Sequence, residues 1–522
     1  MTKVSALPLL SKTQLNGSEV APIAKDGALY RVPIDALPQR VQAVAAYEPS
    51  FEIVDSFGNA LLQVDKKRLR HPDFDAQREK LKAFGPNRDV RAYTPEFEIA
   101  DSAGNVLVSF TPTEIKHPAI VRRSNSERSG NAFAILGDSR MAAVHADWST
   151  KRNFTTWNFF NIANALMGQR MNLVGSFAVA GDRSDEFLSS DKVADAIATQ
   201  ADWFLIFGVV NDIAQMSFTP FADNILPACE RILTAGGKVI LCTEPGATNF
   251  NAQKDAAVQL YNQQLRQYAA ERAGIVLFDL AAATIAPISA GPVTFPANYS
   301  ADGVHYLTPA AFAQGKAFAD LMRPLVPACD RLISSALENF ANGGIQHLPN
   351  PLFLTDTGGT LGAGMTGQVP ANFATNCDAG ITAIASVNPI EFGNEVELQV
   401  TANQAGLIRF SADLPATEAP GDIFEGMAEI AIDDGHSNLA TAWLRLESQR
   451  DGTASSAFSL YSDTGHGALP PGAHTFTART GQLPIATGAR GYFNWNVRAQ
   501  FLGAGNATIR IRRASARKLQ EI

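Results

Sequence analysis

Ser139 stands in Gly137-Asp138-Ser139-Arg140, directly after the apolar run Ala132-Phe133-Ala134-Ile135-Leu136. A buried strand that stops at a tight, glycine-bearing turn presents a hydroxyl whose direction the strand fixes. Serine is a poor nucleophile until a base takes its proton, and that base must be oriented by a third group. Asp302-Gly303-Val304-His305 carries an Asp and a His three positions apart. On a loop or helical turn, this spacing lets the carboxylate hold the imidazole Nδ1–H and leaves Nε2 for the serine. The same chemistry needs donors for the oxyanion that develops on an acyl carbonyl. Asn211, in Gly208-Val209-Val210-Asn211-Asp212, offers a side-chain amide after the apolar run from Trp203 to Phe207. Gly181, in Val179-Ala180-Gly181-Asp182-Arg183-Ser184, offers a backbone N–H.

Gly-Asp-Ser, a glycine in a short Gly-Asp loop, Gly-x-x-Asn-Asp and Asp-x-x-His follow one another over about residues 131 to 325. In that order they resemble the blocks of the SGNH hydrolases, the GDSL-type esterase and lipase superfamily. The resemblance implies a flavodoxin-like α/β/α domain and a carboxylic ester hydrolase that needs neither metal nor organic cofactor. It assigns Ser139 as nucleophile, His305 as base and acid, and Asp302 as orienter. Gly181, Asn211 and the Ser139 N–H become the oxyanion donors. Arg140 departs from the many members with an apolar residue after the serine, which leaves the acyl and leaving-group preference open.

Other residues invite rival readings. Asp433-Asp434-Gly435-His436 repeats the Asp-x-x-His spacing but lies among turn residues, so a hairpin turn is expected there rather than a base or a calcium site. His145 reads as a surface or satisfied residue, and Ser139 as a helix N-cap in addition to its chemistry. Asp212 is expected to cap the helix that follows the third strand. Trp443, Tyr492, Phe493 and Trp495 could form a sugar-stacking face, although core packing is the commoner use of such rings.

The elements that would position these groups alternate strand and helix patterns from 131 to 335. Apolar runs at 132–136, 173–179, 203–210, 237–242 and 274–279 read as strands; Ala257, Tyr261, Leu265 and Tyr268 make a helical stripe between the last two. That alternation predicts a parallel sheet covered on both faces, with ligands at the carboxyl ends of its strands. From 345 to 522, short alternating runs such as 395–400 and 442–446 replace the helical stripes. They predict a C-terminal β-sandwich, jelly-roll-like and of the carbohydrate-binding kind. Such a segment should be dispensable for small esters.

Residues 1–130 read as a β-rich attachment region. Within it, the segment 46–72 recurs at 92–118, each copy a hairpin with an Asp-Ser-x-Gly-Asn turn. Lone hairpins need a surface to pair with. The stretch from Val4 to Ile34 resembles the short N-terminal segment of phage tail and other virion proteins. That likeness implies a homo-oligomer, a trimer, with virion tail proteins as partners, and an O-acetylated bacterial surface polysaccharide as substrate. The alternatives are a virion structural or receptor-binding protein that only binds glycan, and a lipase or thioesterase for longer chains.

Composition narrows the classes further. A net charge of −8 over 522 residues, without a basic stripe, gives no reason to expect nucleic-acid binding. Apolar residues make up 46%, and no apolar run reaches the roughly eighteen residues of a membrane helix. The first residues lack the apolar core of a secretory signal, so a place in a virion, or outside the cell after lysis, is expected. The four cysteines show no metal-ligand or redox spacing, and Cys242 reads as a buried thiol.

Overall fold

The computed structural model of the protein describes residues 130–147, 149–215, 219–285 and 292–519, with strands at 51–54, 60–65, 68–70, 97–100, 106–110 and 115–116. By its internal contacts the chain divides into two compact units, Met1–Glu127 and Arg128–Ile522.

Five short runs in the second unit build the sheet that carries the candidate site. They are β1 (Ala132–Gly137), β2 (Asn172–Ser176), β3 (Trp203–Phe207), β4 (Lys238–Cys242) and β5 (Ile275–Phe278). All pair in parallel, in the order β5-β4-β3-β1-β2. Successive side chains on a strand point to opposite faces, and here both faces are covered, so β1 and β3 are apolar throughout. Phe133, Ile135, Trp203, Leu205 and Phe207 enter one core with the helices Phe159–Leu166 and Thr308–Met322. Ala134, Leu136, Phe204 and Ile206 enter the other with Ser190–Ala198, Leu226–Thr234 and Ala252–Glu271. In the last of these helices Tyr261 and Leu265 are buried, while Ala257 and Tyr268 pack at the rim. Cys242 is fully buried, and that burial pushes its thiol pKa well up.

The C-terminal region is β-rich, with two large sheets. One runs in the order Thr360–Leu361, Ala374–Cys377, Gly406–Asp413, Arg490–Phe501, Leu439–Arg450, Thr453–Tyr461 and Asn153–Thr155. The other runs Met365–Gly367, Ile381–Ile390, Gly393–Ala402, Gly505–Leu519, Ile423–Ile432 and His474–Arg479, with Leu483–Pro484 beside Ile423–Ile432. Phe410, Leu444 and Trp495 of the first sheet share one apolar cluster with Leu398, Ile430 and Ile511 of the second. Trp443, Phe493 and Trp495 are at most 3% exposed. These three rings are therefore core and form no sugar-stacking face. Phe493 and Trp495 turn inward between the two sheets, whereas Trp443, on the opposite face from Leu444, packs against Tyr461.

The α/β part and the β-rich part are joined by more than the chain. Asn153–Thr155 lies between β1 and β2 in sequence, yet pairs in parallel with Thr453–Tyr461 at the edge of a C-terminal sheet. Ile162 and Ala165 of one α/β helix, and Ala311 and Phe312 of another, belong to the apolar cluster of the β-rich region. Nothing in the three residues Asn153-Phe154-Thr155 advertises a strand, because a run so short has no period to read.

In the first unit, each copy of the repeat carries a three-stranded antiparallel sheet. The strands are Phe51–Val54, Ala60–Asp65 and Arg68–Arg70, then Phe97–Ala100, Val106–Phe110 and Ile115–Lys116. Pairings recur at one sequence offset: Phe51 opposite Val64 and Phe97 opposite Phe110, Gln63 opposite Arg70 and Ser109 opposite Lys116. The tail-like segment from Val4 to Ile34 and the Asp-Ser-x-Gly-Asn turns lie outside the described residues. Among the described residues no helix is long and apolar enough to cross a membrane.

Candidate active site

β1 ends at Gly137, and a single helical turn, Ser139–Ala142, starts at once. Asp138, not Ser139, is the N-cap: its carboxylate accepts the Arg140 N–H at 2.9 Å. This leaves the serine hydroxyl free of any capping duty. Beside this turn, the end of β3 must come very close. A Cβ on Gly208, where φ is +133°, would lie 2.7 Å from the Asp138 carboxyl carbon. Only glycine fits both the conformation and the gap.

Ser139 Oγ lies 2.8 Å from His305 Nε2, and His305 Nδ1 lies 2.6 Å from Asp302 Oδ2. The other Asp302 oxygen accepts the backbone N–H groups of Val304 and His305, at 2.9 and 2.8 Å. Partial burial works to raise the Asp302 pKa, but the bonds from the imidazole and the two amides hold it well below the usual carboxylate range. The loop turns at Gly303, φ +81°, where a Cβ would strike Thr248 Oγ1 at 1.9 Å. The three side chains thus form one hydrogen-bonded line. His305 and Asp302 are about half exposed, with side-chain accessibilities of 53% and 52%.

Gly181 has φ +87° with open space around its α-carbon. Asn211 Nδ2 donates to Asp182 O at 2.8 Å, which ties the two expected oxyanion loops together. An amide nitrogen has two hydrogens, so one donor is not used by this bond. Asp212 does not cap its own helix, Val210–Ala214, whose N-cap Val209 has no side-chain bond. It accepts instead from Ser184 N at 2.9 Å and Ser184 Oγ at 2.6 Å, fixing the helix that follows Gly181. Burial raises the Asp212 pKa against these bonds, which lower it.

Arg140 points away from solvent, 2% exposed, beneath the serine turn. Its guanidinium bonds Asp138 at 2.7 Å and grips both oxygens of Glu244 at 2.7 and 2.8 Å, over the Phe207 ring at 4.2 Å. Burial works to lower the Arg140 pKa, but the two carboxylates win and raise it well above the ordinary value. Glu244 also accepts from Val209 N and Gly246 N, at 3.2 and 2.9 Å. Three strand ends are thereby held to one buried ion cluster. Arg140 looked open to a role in substrate preference, but its charge is spent on this cluster. Glu244 went unread because its partner is 104 residues away.

A second paired Asp-x-x-His was also missed. His466 Nδ1 lies 2.5 Å from Asp463 Oδ1, and the His466 ring stacks on Trp157 with centroids 3.6 Å apart. Two bonds pin this C-terminal loop to the site, Thr156 N to Tyr461 O at 3.0 Å and Thr308 N to His466 O at 2.9 Å, and the hydroxyls of Thr156 and Thr308 bond each other at 2.9 Å. Its spacing, identical to that of Asp302 and His305, was the available signal. A cavity of about 140 Å³ is lined by Arg140, Ala143, Trp157, His305, Tyr306 and His466. A larger one, about 600 Å³, touches none of Ser139, His305 or Asp302.

The rivals are placed elsewhere. Asp433 pairs with Arg510, and His436 Nε2 faces the Gly472 carbonyl at 3.2 Å, so this Asp and His do not partner each other. His145 is buried, and burial lowers its pKa to about 4, which keeps it neutral at pH 7. Among the described residues no group of three or more His, Cys, Asp or Glu side chains is placed to hold a metal.

No curated protein matches the chain. Among solved structures it is similar to an acetyl-xylooligosaccharide esterase from Geobacillus stearothermophilus, 17% identical over 37% of this chain and 95% of that one, TM-score 0.30. It is similar also to LAE5, an alpha/beta hydrolase from the metagenome of Lake Arreo, 18% identical over 38% and 98%, TM-score 0.30. A third is a GDSL-like lipase from Bacteroides thetaiotaomicron VPI-5482, 16% identical over 40% and 91%, TM-score 0.27. Residues 135–309, from within β1 to the start of the helix after His305, match the GDSL-like Lipase/Acylhydrolase family.

Proposed function

We propose that the α/β part is a serine esterase in which Ser139, His305 and Asp302 act as a triad. The observation that carries this is the line of two hydrogen bonds, 2.8 Å from Ser139 Oγ to His305 Nε2 and 2.6 Å from His305 Nδ1 to Asp302. Ser139 Oγ attacks the ester carbonyl as His305 Nε2 takes its proton, and Asp302 holds the imidazolium that forms. The acyl–oxygen bond breaks, the alcohol leaves with the proton returned by His305, and water repeats the sequence on the acyl-enzyme. The Ser139 and Gly181 N–H groups and the second Asn211 amide hydrogen hold the oxyanion. The strand order, 2-1-3-4-5, is that of flavodoxin-like doubly wound sheets, in which ligands sit at the carboxyl ends of the strands.

The substrate we infer is a short acyl ester, an O-acetyl group, on a bacterial surface polysaccharide. Half-exposed Asp302 and His305 support this choice, because an ester carried on a bulky polymer must reach the site from solvent. The attachment role of residues 1–130 and the virion setting are part of the same reading. Ser139→Ala should lower hydrolysis of p-nitrophenyl acetate about 10³-fold or more with the melting temperature kept. Full activity in the folded variant would refute the triad.

A further inference from the structure

In ester cleavage the imidazole that accepts the serine proton must pass it to the departing alkoxide, so the alcohol leaves beside that imidazole. The cavity of about 140 Å³ bordered by His305 has neither Gly181 nor Asn211 in its lining. Bordering the imidazole but none of the donors assigned to the carbonyl oxygen, it offers space where the alcohol would leave. Its wall opposite His305 in sequence comes from the C-terminal region, through His466, and from Trp157, against which His466 is stacked.

We propose that this cavity is the leaving-group subsite and that Asp463 and His466 make it select an alcohol bearing further hydroxyls, as a sugar unit does. The proposal rests on the esterase reading above. Asp463 accepts the Nδ1–H of His466 at 2.5 Å, which in a neutral imidazole leaves Nε2 as an acceptor. No partner for that nitrogen is found among the described residues, and the His466 side chain is 28% exposed. An acceptor fixed in place wants an O–H donor. Around it, Ala143 and the part of Trp157 not covered by His466 supply apolar surface for the C–H groups of a pyranose, and buried Tyr306 closes the cavity behind them. Pockets for drug-sized ligands hold roughly 300–1,000 Å³, so this smaller space takes one unit of a polymer. The bonds from Thr308 N to His466 O and from Thr156 N to Tyr461 O hold the wall in register with the His305 loop.

The test compares kcat/KM on methyl 6-O-acetyl-glucopyranoside with kcat/KM on ethyl acetate, whose alcohol has no second hydroxyl. His466→Phe keeps a ring on Trp157 and removes both nitrogens. It should lower the sugar-to-ethyl ratio by about 3- to 10-fold, the worth of one neutral hydrogen bond. Asp463→Asn, which leaves the imidazole in place but frees its tautomer, should move the ratio the same way, and it carries the test if His466→Phe fails to fold. An unchanged ratio, or equal losses on both esters, would show a merely structural histidine and overturn the proposal. Wild-type protein that cleaves ethyl acetate but not the sugar ester overturns it too, with the esterase reading intact. Cleavage of neither ester removes both.

Discussion

Asp302 shows how much a small loop can demand of one side chain. Its two oxygens take an imidazole N–H and two backbone N–H groups, all donors that favour the ionised form. Because the folded pKa is depressed, the stabilisation from ionised Asp302 is complete above the unfolded value of about 3.9. It declines as pH falls below that value toward the folded one. Asp302→Asn should therefore cut kcat/KM for p-nitrophenyl acetate by about 10³-fold or more. The gap in melting temperature between wild type and variant should narrow from pH 5 to pH 2; a gap that widens would contradict the linkage. That Ser139, Asp302 and His305 come together was legible in the sequence, because turn chemistry and hydrogen-bond spacing both constrain short segments. Glu244 and His466 were not, since each works on a partner more than a hundred residues away. His466 nevertheless carried a readable sign in Asp463, three positions before it.

At the scale of elements, the carboxyl ends of β1, β3 and β4 converge on the ion cluster of Arg140, Asp138 and Glu244. The cluster sits under the serine turn, so its charges set where that turn stands without touching an ester. Breaking a buried pair by removing one partner leaves the other charge uncompensated, at about 3–5 kcal/mol. Glu244→Gln should lower unfolding stability in urea by about that much. It should also lower kcat more than KM is raised, because a displaced turn loses geometry at the transition state more than it loses ground-state binding. An unaltered urea midpoint would show that the cluster does not hold the turn. The strands themselves were readable as apolar runs, since a sheet covered on both faces leaves no polar side to blur the pattern. The helix starts were less so. The short turn after β1 begins at Asp138, where the sequence pointed to Ser139, because both residue types favour caps and only geometry chooses between them.

For the molecule as a whole, the boundary between contact units falls at 127/128, and the β-rich region belongs with the α/β part. Deleting residues 1–127 should leave p-nitrophenyl acetate turnover within about twofold. Ending the chain at 345 should not. The sequence pattern predicts a C-terminal segment dispensable for small esters, but Ile162 and Phe312 are buried in its cluster. Burial of each such side chain is worth about 1.5–3 kcal/mol, against a total stability of about 5–15 kcal/mol for a domain. The shortened chain should give aggregated or molten protein without esterase activity, as size exclusion and the same assay would show; full small-ester activity would refute this. The strand Asn153–Thr155 adds a consequence in time. Its partner strand, which begins at Thr453, is made about 300 residues later, roughly 15–60 s at the pace of a ribosome. Until then the segment beside Trp157 has nothing to pair with and the wall bearing His466 does not exist. The nascent α/β part is thus kept unfinished through most of the chain's own synthesis, and the cavity beside His305 is complete only once the C-terminal sheets have been made.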